Sequence, residues 1–203
     1  MQATPRRGRF FVLDGLDGCG KSTQAARLVR ALGADTLHLR EPGSTAAGER
    51  IRALLLDPEP ALTPAAQTLL FASARRQMLD EVVAPTLAAG RDVVCERFHA
   101  STFAYQGVAL GVGEERVLEL LFAWAGEPAP TLTLVLDLAP ELARARRGVR
   151  DRFEAREPDF HRRVAEGYRR YAARVPRTAL VDASGSPDEV AARIWKELER
   201  ADR

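Results

Sequence analysis

A glycine-rich segment near the N-terminus carries the clearest chemical pattern in the sequence. Residues 15–22 read Gly-Leu-Asp-Gly-Cys-Gly-Lys-Ser and match G-x-x-x-x-G-K-S, directly after an apolar run. Glycines let successive N–H groups point at phosphate oxygens, while the lysine reaches the β- and γ-phosphates and the serine hydroxyl ligates Mg²⁺. The segment predicts a nucleotide-binding P-loop, although the loop alone leaves kinases, GTPases and motor ATPases open. The expected nucleotide contacts are Gly15, Leu16, Asp17, Gly18, Cys19, Gly20, Lys21, Ser22 and Thr23.

Three charged residues add further phosphate chemistry. Arg97 follows Glu96 at the end of another apolar run, and its guanidinium could hold a phosphate through two N–H groups, as a lysine cannot. Glu96 offers oxygen ligands to Mg²⁺ or to its waters. Asp17 is unusual because an acid inside the phosphate loop would repel phosphates unless it faced another partner. The set indicates phosphoryl transfer, which depends on positioning and on neutralising charge.

Short apolar runs alternate with helical patterns along the chain. The runs predict strands at residues 9–13, 35–39, 91–95, 131–136 and 178–181. Helices are predicted at residues 20–32, 45–56, 63–89, 113–125, 140–147, 159–175 and 188–201. Pro85 should kink or break the last turn of the long helix. The alternation predicts an α/β fold with a five-stranded parallel sheet between two helical layers, and ligands of such sheets bind beyond the carboxyl ends of the strands.

Composition excludes several classes of protein. With 203 residues, 46% of them hydrophobic, the chain can build one complete core, so we expect a single domain over residues 1–203 with residues 1–8 as a flexible tail. A net charge of +2 argues against a protein that coats nucleic acid. No apolar stretch approaches the roughly 20 residues that span a bilayer, and no signal-peptide core is visible, which favours the cytoplasm. Cys19 and Cys95 are expected to be reduced thiols.

Basic charge in the chain is almost entirely arginine and is unevenly distributed. Lys21 and Lys196 are the only lysines, and residues 144–177 hold twelve arginines against five acids, a net charge of +7. A basic block in an otherwise acidic chain indicates a local anionic ligand. For the part after Pro158 we instead interpret the block as a solvated helix surface.

Three segments beyond the P-loop complete a resemblance to the thymidylate kinases. They read Leu-Arg-Glu-Pro-Gly-Ser-Thr at residues 39–45, Glu-Arg-Phe at 96–98 followed by Ser-Thr-Phe-Ala-Tyr-Gln at 101–106, and Asp-Arg-Phe-Glu at 151–154. The motifs occur in the order of that family, and the resemblance covers about residues 9–200. It implies a homodimeric P-loop kinase that transfers the γ-phosphoryl group of ATP to dTMP, with Mg²⁺. Two residues depart from the family pattern, since Glu96 replaces an aspartate and Ser44 replaces a glycine.

The resemblance also implies roles for the residues that would contact dTMP. Asp17 would accept a hydrogen bond from the 3′-hydroxyl group, and Arg97 would hold the acceptor phosphate. Phe71 would stack on thymine and Arg75 would donate to its O4 atom, and their spacing of four places both on one helix face. Tyr105 would crowd the 2′ position. The other implied contacts are Arg40, Pro42, Arg52, Ser101, Thr102 and Gln106.

A short lid is implied at about residues 147–157. Thymidylate kinases without a basic residue among the variable P-loop positions take their catalytic arginine from the lid, and residues 16–19 contain no basic residue. Arg147, Arg150 and Arg152 are therefore the candidates, and they join Lys21, Glu96 and Arg97 as the expected catalytic set. Ser22 and Glu96 are the expected magnesium ligands, with Glu96 acting directly or through water.

Two other functions remain compatible with the residues. A deoxynucleoside kinase shares the P-loop and the Glu-Arg strand end but phosphorylates a 5′-hydroxyl group, and Glu96 could then serve as its general base. A regulatory P-loop switch would bind and slowly hydrolyse nucleotide without any nucleotide acceptor. The molecule that accepts the phosphoryl group distinguishes the three possible functions.

Overall fold

Strands form where the apolar runs predict them. The computed structural model describes residues 7–59, 61–146 and 157–201. Its strands are β1 (Phe10–Gly15), β2 (Leu37–Arg40), β3 (Val93–Glu96), β4 (Leu132–Asp137) and β5 (Thr178–Asp182). All of them pair in parallel, in the order β2-β3-β1-β4-β5. The predicted five-stranded parallel sheet is confirmed.

Helices occupy the connections between these strands. They are α1 (Lys21–Leu32), α2 (Ala46–Leu56), α3 (Pro64–Met78), α4 (Ala84–Ala88), α5 (His99–Thr102), α6 (Glu114–Ala125), α7 (Pro140–Ala145), α8 (Pro158–Arg174) and α9 (Pro187–Ala201). Side-chain caps begin two of them, because the hydroxyl groups of Thr45 and Thr63 accept hydrogen bonds from the first turns of α2 and α3. Within the described ranges, none of the helices is both long enough and apolar enough to cross a bilayer.

The long helix predicted over residues 63–89 is interrupted. Helix α3 passes into a π-helical segment, Leu79–Val83, which continues into α4. Pro85 has no N–H group, and its ring would crowd the carbonyl four residues earlier in a regular α-helix. The wider π turn lies just before it, and the N–H of Ala84 bonds to the carbonyl of Leu79, five residues back. The expected break therefore takes the form of a change in hydrogen-bond pattern ahead of the proline.

A second π-helical segment, Phe103–Ala109, follows α5. The sequence predicted binding residues in this stretch but no helix. Its N-terminal neighbour α5 has only four residues, which is too short for a hydrophobic period to show.

Alternation along β1 places helical layers on both faces of the sheet. Phe10 and Val12 pack in one apolar cluster with α3 and the π-helical segment after it. Phe11 and Leu13, which point to the opposite face, pack in the other cluster with α1. The predicted three-layer arrangement is confirmed, and it brings the residues that follow β1, β2 and β3 to one edge of the sheet.

Candidate active site

A cleft of about 700 Å³ opens beyond the carboxyl ends of β1, β2 and β3. The P-loop from Asp17 to Thr23 forms one wall, so most of the predicted nucleotide contacts lie on the cleft. Six basic side chains line the cleft against three carboxylates, an excess that suits an anionic ligand. They are Lys21, Arg40, Arg52, Arg75, Arg97 and Arg146, with Asp17, Glu41 and Glu96.

The P-loop backbone adopts conformations that favour glycine. Gly18 and Gly20 have φ angles of 89° and 97°, in the left-handed region. The Lys21 ammonium is buried and donates to the carbonyls of Gly15 and Leu16, at 2.9 and 2.8 Å. These two residues hold the lysine through their carbonyls and do not line the cleft, and their contact with a nucleotide stays a prediction.

The two cysteines are both free and buried, as expected for reduced thiols. Cys19 lies inside the P-loop, where burial raises the pKa of its thiol in spite of the neighbouring Lys21 ammonium. Cys95 lies on β3, and burial raises the pKa of its thiol well above the usual range.

Oxygen ligands suited to Mg²⁺ meet at the start of α1. The Ser22 hydroxyl donates to Oε2 of Glu96 at 2.5 Å, so the two predicted metal ligands are neighbours. The described residues contain no group of three or more His, Cys, Asp or Glu side chains that could hold a metal. Mg²⁺ usually binds through one or two protein oxygens together with substrate phosphates and water. This donor pair therefore fits a magnesium ion that arrives with a nucleotide.

Arg97 faces the P-loop acid across the cleft. Its guanidinium forms an ion pair with Oδ1 of Asp17, and the Tyr105 hydroxyl donates to Oδ2 of Asp17 at 3.3 Å. Burial is the largest single effect and acts to lower the pKa of Arg97, but Asp17 and the other acidic and phenolic groups around the guanidinium together outweigh it, and the pKa is raised well above its usual range. Asp17 also lies 3.5 Å from the Lys21 ammonium. The acid in the phosphate loop thus turns toward the opposite wall.

A fully buried carboxylate behind Arg97 was not predicted from the sequence. Asp14 accepts hydrogen bonds from the backbone N–H groups of Phe98 and Ser101, at 2.9 and 3.0 Å, and from the hydroxyl of Tyr168 at 3.0 Å. Arg97 has a φ angle of 66°, an uncommon conformation for a residue with a β-carbon. By fixing the backbone that follows, Asp14 stabilises this turn and directs the Arg97 side chain. An acid inside an apolar strand was the available signal.

Arg75 is held by an acid that the sequence analysis quoted without a role. Its Nε and NH2 groups both donate to Oε2 of Glu41, at 2.7 and 2.6 Å, and its NH2 group also donates to Thr102. Burial raises the pKa of Glu41 to about 7, although the Arg75 charge acts to lower it. Within the described residues, NH1 of Arg75 and Oε1 of Glu41 have no hydrogen-bond partner. The pair is therefore held by two hydrogen bonds and still has one nitrogen donor and one oxygen acceptor without a partner in the described part of the chain.

Comparison with known proteins relates this cleft to one family. A protein-family model described as thymidylate kinase matches residues 13–194. A thymidylate kinase of Synechococcus sp. (strain JA-3-3Ab) is 47% identical over 92% of this chain and 93% of its own length. That of Chromobacterium violaceum is 44% identical over 98% of each chain, and that of Deinococcus radiodurans is 40% identical over 93% of this chain and 95% of its own. The chain belongs to the thymidylate kinase family.

In this member of the thymidylate kinase family, every residue expected to contact the acceptor lines the cleft. The structure places them on the P-loop, the end of β2, the β2–α2 connection, α2, α3, the turn after β3, α5 and the π-helical segment that follows it. They are Asp17, Arg40, Pro42, Arg52, Phe71, Arg75, Arg97, Ser101, Thr102, Tyr105 and Gln106. Arg52 donates to the carbonyl of Pro42 at 3.0 Å, whereas the Arg40 side chain is exposed and has no ion pair within the described residues.

The lid predicted at residues 147–157 falls outside the described residues of this thymidylate kinase family member, except for its last residue. Arg147, Arg150 and Arg152 all belong to that part, so their catalytic role stays a prediction. The preceding residue, Arg146, lines the cleft and donates to the carbonyl of Ala183 at 3.3 Å. Sequence reasoning missed this wall, which also includes Gly185 and Pro187, because a loop between β5 and α9 carries no motif.

Proposed function

We propose that this protein is a thymidylate kinase that transfers the γ-phosphoryl group of ATP to dTMP. One observation carries the proposal: a P-loop with its lysine and an acceptor wall with Arg97, Phe71 and Arg75 line the same cleft. Family membership supplies the choice of dTMP as the acceptor. An oxygen of the dTMP phosphate attacks the γ-phosphorus, the bond from the γ-phosphorus to the bridging oxygen breaks, and the products are dTDP and ADP.

The proposed chemistry relies on position and charge, and it involves no covalent enzyme intermediate. Lys21 would leave the carbonyls of Gly15 and Leu16 to reach the β- and γ-phosphates, next to the N-terminal end of α1. Arg97 would hold the acceptor phosphate, where a planar guanidinium can donate two parallel hydrogen bonds. Charge that develops on the transferred group would meet cations that the folded protein already holds in place.

Magnesium is the metal that the donor atoms fit. Ser22 and Glu96 would hold it, directly or through water, and bound Mg²⁺ would neutralise charge on the β- and γ-phosphates. The hydrogen bond of 2.5 Å between these residues keeps both oxygens at the phosphate end of the cleft.

The acceptor wall is proposed to select a deoxyribonucleotide with an oxygen at position 4 of the base. Phe71 would stack on the base, while the free NH1 donor of Arg75 matches O4. Asp17 would accept from the 3′-hydroxyl group, and Tyr105, whose hydroxyl already contacts Asp17, would lie against the 2′ carbon. Cytosine presents an amino group at position 4, which would face the Arg75 donor and be disfavoured.

The remaining parts of the proposal concern the lid, assembly and location. An arginine among Arg147, Arg150 and Arg152 would close over the phosphates when ATP binds and exclude water. We also propose a homodimer, supported by the exposed apolar side chains Leu69 and Trp124 on α3 and α6. The cytoplasmic location and the absence of nucleic-acid partners remain predictions from the sequence.

Acceptor screening tests the proposed function. Purified protein is incubated with ATP and Mg²⁺ and one acceptor at a time, namely dTMP, thymidine or dCMP, and ADP release is coupled to NADH oxidation. We expect rapid ADP formation with dTMP and at least 100-fold less with dCMP, which corresponds to about 3 kcal/mol of discrimination. Turnover of thymidine without dTMP would instead identify a deoxynucleoside kinase. Nucleotide hydrolysis that no acceptor stimulates would indicate a P-loop switch.

Lys21→Ala serves as the negative variant for this assay. It removes the only lysine in the cleft, so turnover should fall strongly while thermal unfolding stays cooperative. Arg30→Ala is the control, because Arg30 lies in the last turn of α1, away from the P-loop. Unchanged turnover in Lys21→Ala would remove the P-loop from the chemistry.

A further inference from the structure

The Glu96 carboxylate is held from two sides. Its Oε2 atom accepts from the Ser22 hydroxyl at 2.5 Å, and its Oε1 atom lies 3.0 Å from Nε2 of His38. The Glu96 side chain is only 8% exposed, whereas that of His38 is 36% exposed. Each carboxylate oxygen therefore has its own partner, one from the P-loop helix and one from the neighbouring strand.

The register of the sheet explains why His38 reaches this carboxylate. Strand β2 pairs in parallel with β3, and His38 lies opposite Val94. Glu96 follows Val94 by two residues, so its side chain points to the same face of the sheet as that of His38. Residue Val94 belongs to the apolar cluster that contains the core residues of α1, and α1 begins next to Ser22. All three side chains thus converge on the face covered by the P-loop helix.

Hydrogen-bond chemistry fixes the direction of this contact. An ionised carboxylate only accepts hydrogen bonds, so Nε2 of His38 carries the hydrogen that it donates to Glu96. A neutral imidazole suffices for this bond, and the role does not depend on a change of protonation. A donor behind a metal-binding carboxylate orients that carboxylate, and loss of such a partner commonly costs 10- to 100-fold in metal affinity.

We propose that His38 is a positioning residue that holds the Glu96 carboxylate toward Ser22, where magnesium nucleotide binds. This inference rests on the proposed function. Glutamate has one methylene group more than the aspartate found at this position in the family pattern, and its longer chain has an additional torsion to fix. The contact with His38 restricts that torsion. The imidazole and the longer acid thus act as a matched pair.

Metal binding without catalysis tests the inference. Mn²⁺ is titrated into the protein in the presence of saturating ADP, and free Mn²⁺ is measured by electron paramagnetic resonance. We expect His38→Ala to weaken Mn²⁺ binding by roughly 10- to 100-fold. His38→Gln keeps an N–H donor close to the original Nε2 position and should restore binding to within about 3-fold of the wild type. Thr36→Ala, just before β2, is the control and should bind Mn²⁺ like the wild type.

Two accompanying measurements separate orientation from general damage. Calorimetric binding of dTMP in the absence of metal should be the same in His38→Ala and the wild type, and the Mg²⁺ concentration for half-maximal turnover should rise in the alanine variant alone. Wild-type Mn²⁺ affinity in His38→Ala would overturn the inference, as would equal losses in the alanine and glutamine variants. If the wild type binds Mn²⁺ with ADP but does not phosphorylate dTMP, the proposed function fails while the role of His38 is still decided by the titration.

Discussion

At the residue scale, buried and half-buried carboxylates organise the cations of the cleft. Asp14 fixes the backbone after Arg97, Asp17 pairs with its guanidinium, and Glu41 holds Arg75. A long basic side chain loses much rotamer freedom when it is ordered. Because these acids order the arginines before any ligand arrives, part of that entropic cost is met during folding and less remains for binding.

The first prediction concerns the planar geometry of the Arg97 guanidinium group. Arg97→Lys keeps a positive charge beside Asp17 but removes the planar guanidinium. The loss of its hydrogen bonds to the phosphate should weaken dTMP binding by about 1.5–3 kcal/mol. The KM for dTMP should rise roughly 10- to 100-fold, with a much smaller change in the KM for ATP. Steady-state kinetics with each substrate varied in turn measures both values.

Arg91→Lys is the matched control for Arg97→Lys. Arg91 is exposed near the opposite end of β3, where its Nε group donates to the carbonyl of Asp35. Its replacement should leave both KM values within about twofold of the wild type. An unchanged KM for dTMP in Arg97→Lys would show that Arg97 does not hold the acceptor phosphate.

The second prediction uses the raised pKa of Glu41. Burial raises this pKa from an ordinary 4.5 to about 7, so the folded protein binds the proton more tightly than the unfolded chain does. The contribution of Glu41 to the free energy of unfolding is therefore greatest below pH 4.5 and falls as the pH rises toward 7. Over that pH range, the free energy of unfolding of the wild type should fall by about 3 kcal/mol relative to that of Glu41→Gln.

Urea unfolding of both proteins at several pH values between 4 and 8 measures this difference. Taking wild type minus Glu41→Gln cancels the groups that titrate identically in the two proteins. A difference that grows in favour of the wild type as the pH rises would mean that Arg75 lowers the pKa of Glu41 more than burial raises it.

At the element scale, the residues expected to contact the acceptor depend on a close crossing of two helical segments. Helix α8 packs against the π-helical segment Phe103–Ala109, and Gly167 lies at their contact. The next residue, Tyr168, donates to Asp14 and contacts the Ser101 hydroxyl at 2.8 Å. The distance between α8 and the π-helical segment therefore also determines how Tyr168 holds Asp14, the carboxylate behind Arg97.

The third prediction tests this crossing with two glycine substitutions. A β-carbon at position 167 would lie 2.7 Å from the Cα atom of Ala104, whereas one at position 107 would meet nothing closer than 3.5 Å, at Val117. Helix propensity alone favours alanine over glycine by about 1 kcal/mol at either position. Overpacking costs about 1–3 kcal/mol, so Gly167→Ala should lower the free energy of unfolding by about 1 kcal/mol, and Gly107→Ala should not lower it.

Urea unfolding of the two variants decides between packing and propensity. If Gly167→Ala is as stable as Gly107→Ala, the crossing is not close enough to exclude a methyl group. Kinetics adds a second readout, because displacement of Tyr168 should raise the KM for dTMP only in Gly167→Ala.

Most elements, and the residues that carry motifs, could be predicted from sequence because their signals are local. Apolar runs indicated each strand, and Thr45 and Thr63 indicated where α2 and α3 begin. The π-helical segments were missed because no hydrophobic period distinguishes them from loop or α-helix. Glu41 and Tyr168 were missed for another reason. Their roles depend on partners 34 and 154 residues away, and one sequence does not display such pairs.

At the scale of the whole molecule, the protein presents a basic cleft and, on three neighbouring helices, exposed apolar side chains. The cleft gathers six basic side chains at the carboxyl edge of the sheet. Of the large apolar side chains that are exposed in the described residues, four lie on α2, α3 and α6, which contact one another in the order α2–α3–α6. They are Leu54, Leu69, Phe122 and Trp124. Exposed apolar side chains on neighbouring helices are a feature expected of an association site.

The last prediction is that a second copy of the chain covers this surface. A twofold axis lets the same patch serve both subunits, which suits a face made of one set of helices. Sedimentation equilibrium should give twice the chain mass of 22.3 kDa.

Leu69→Glu combined with Trp124→Glu places charges on side chains that are 55% and 69% exposed in the single chain, so the variant should sediment as a monomer that unfolds cooperatively. Leu180→Glu alters an equally apolar residue, 46% exposed on β5, and should remain dimeric. A monomeric wild type would contradict the prediction, and dissociation caused by Leu180→Glu but not by the double variant would place the dimer contact elsewhere on the molecule.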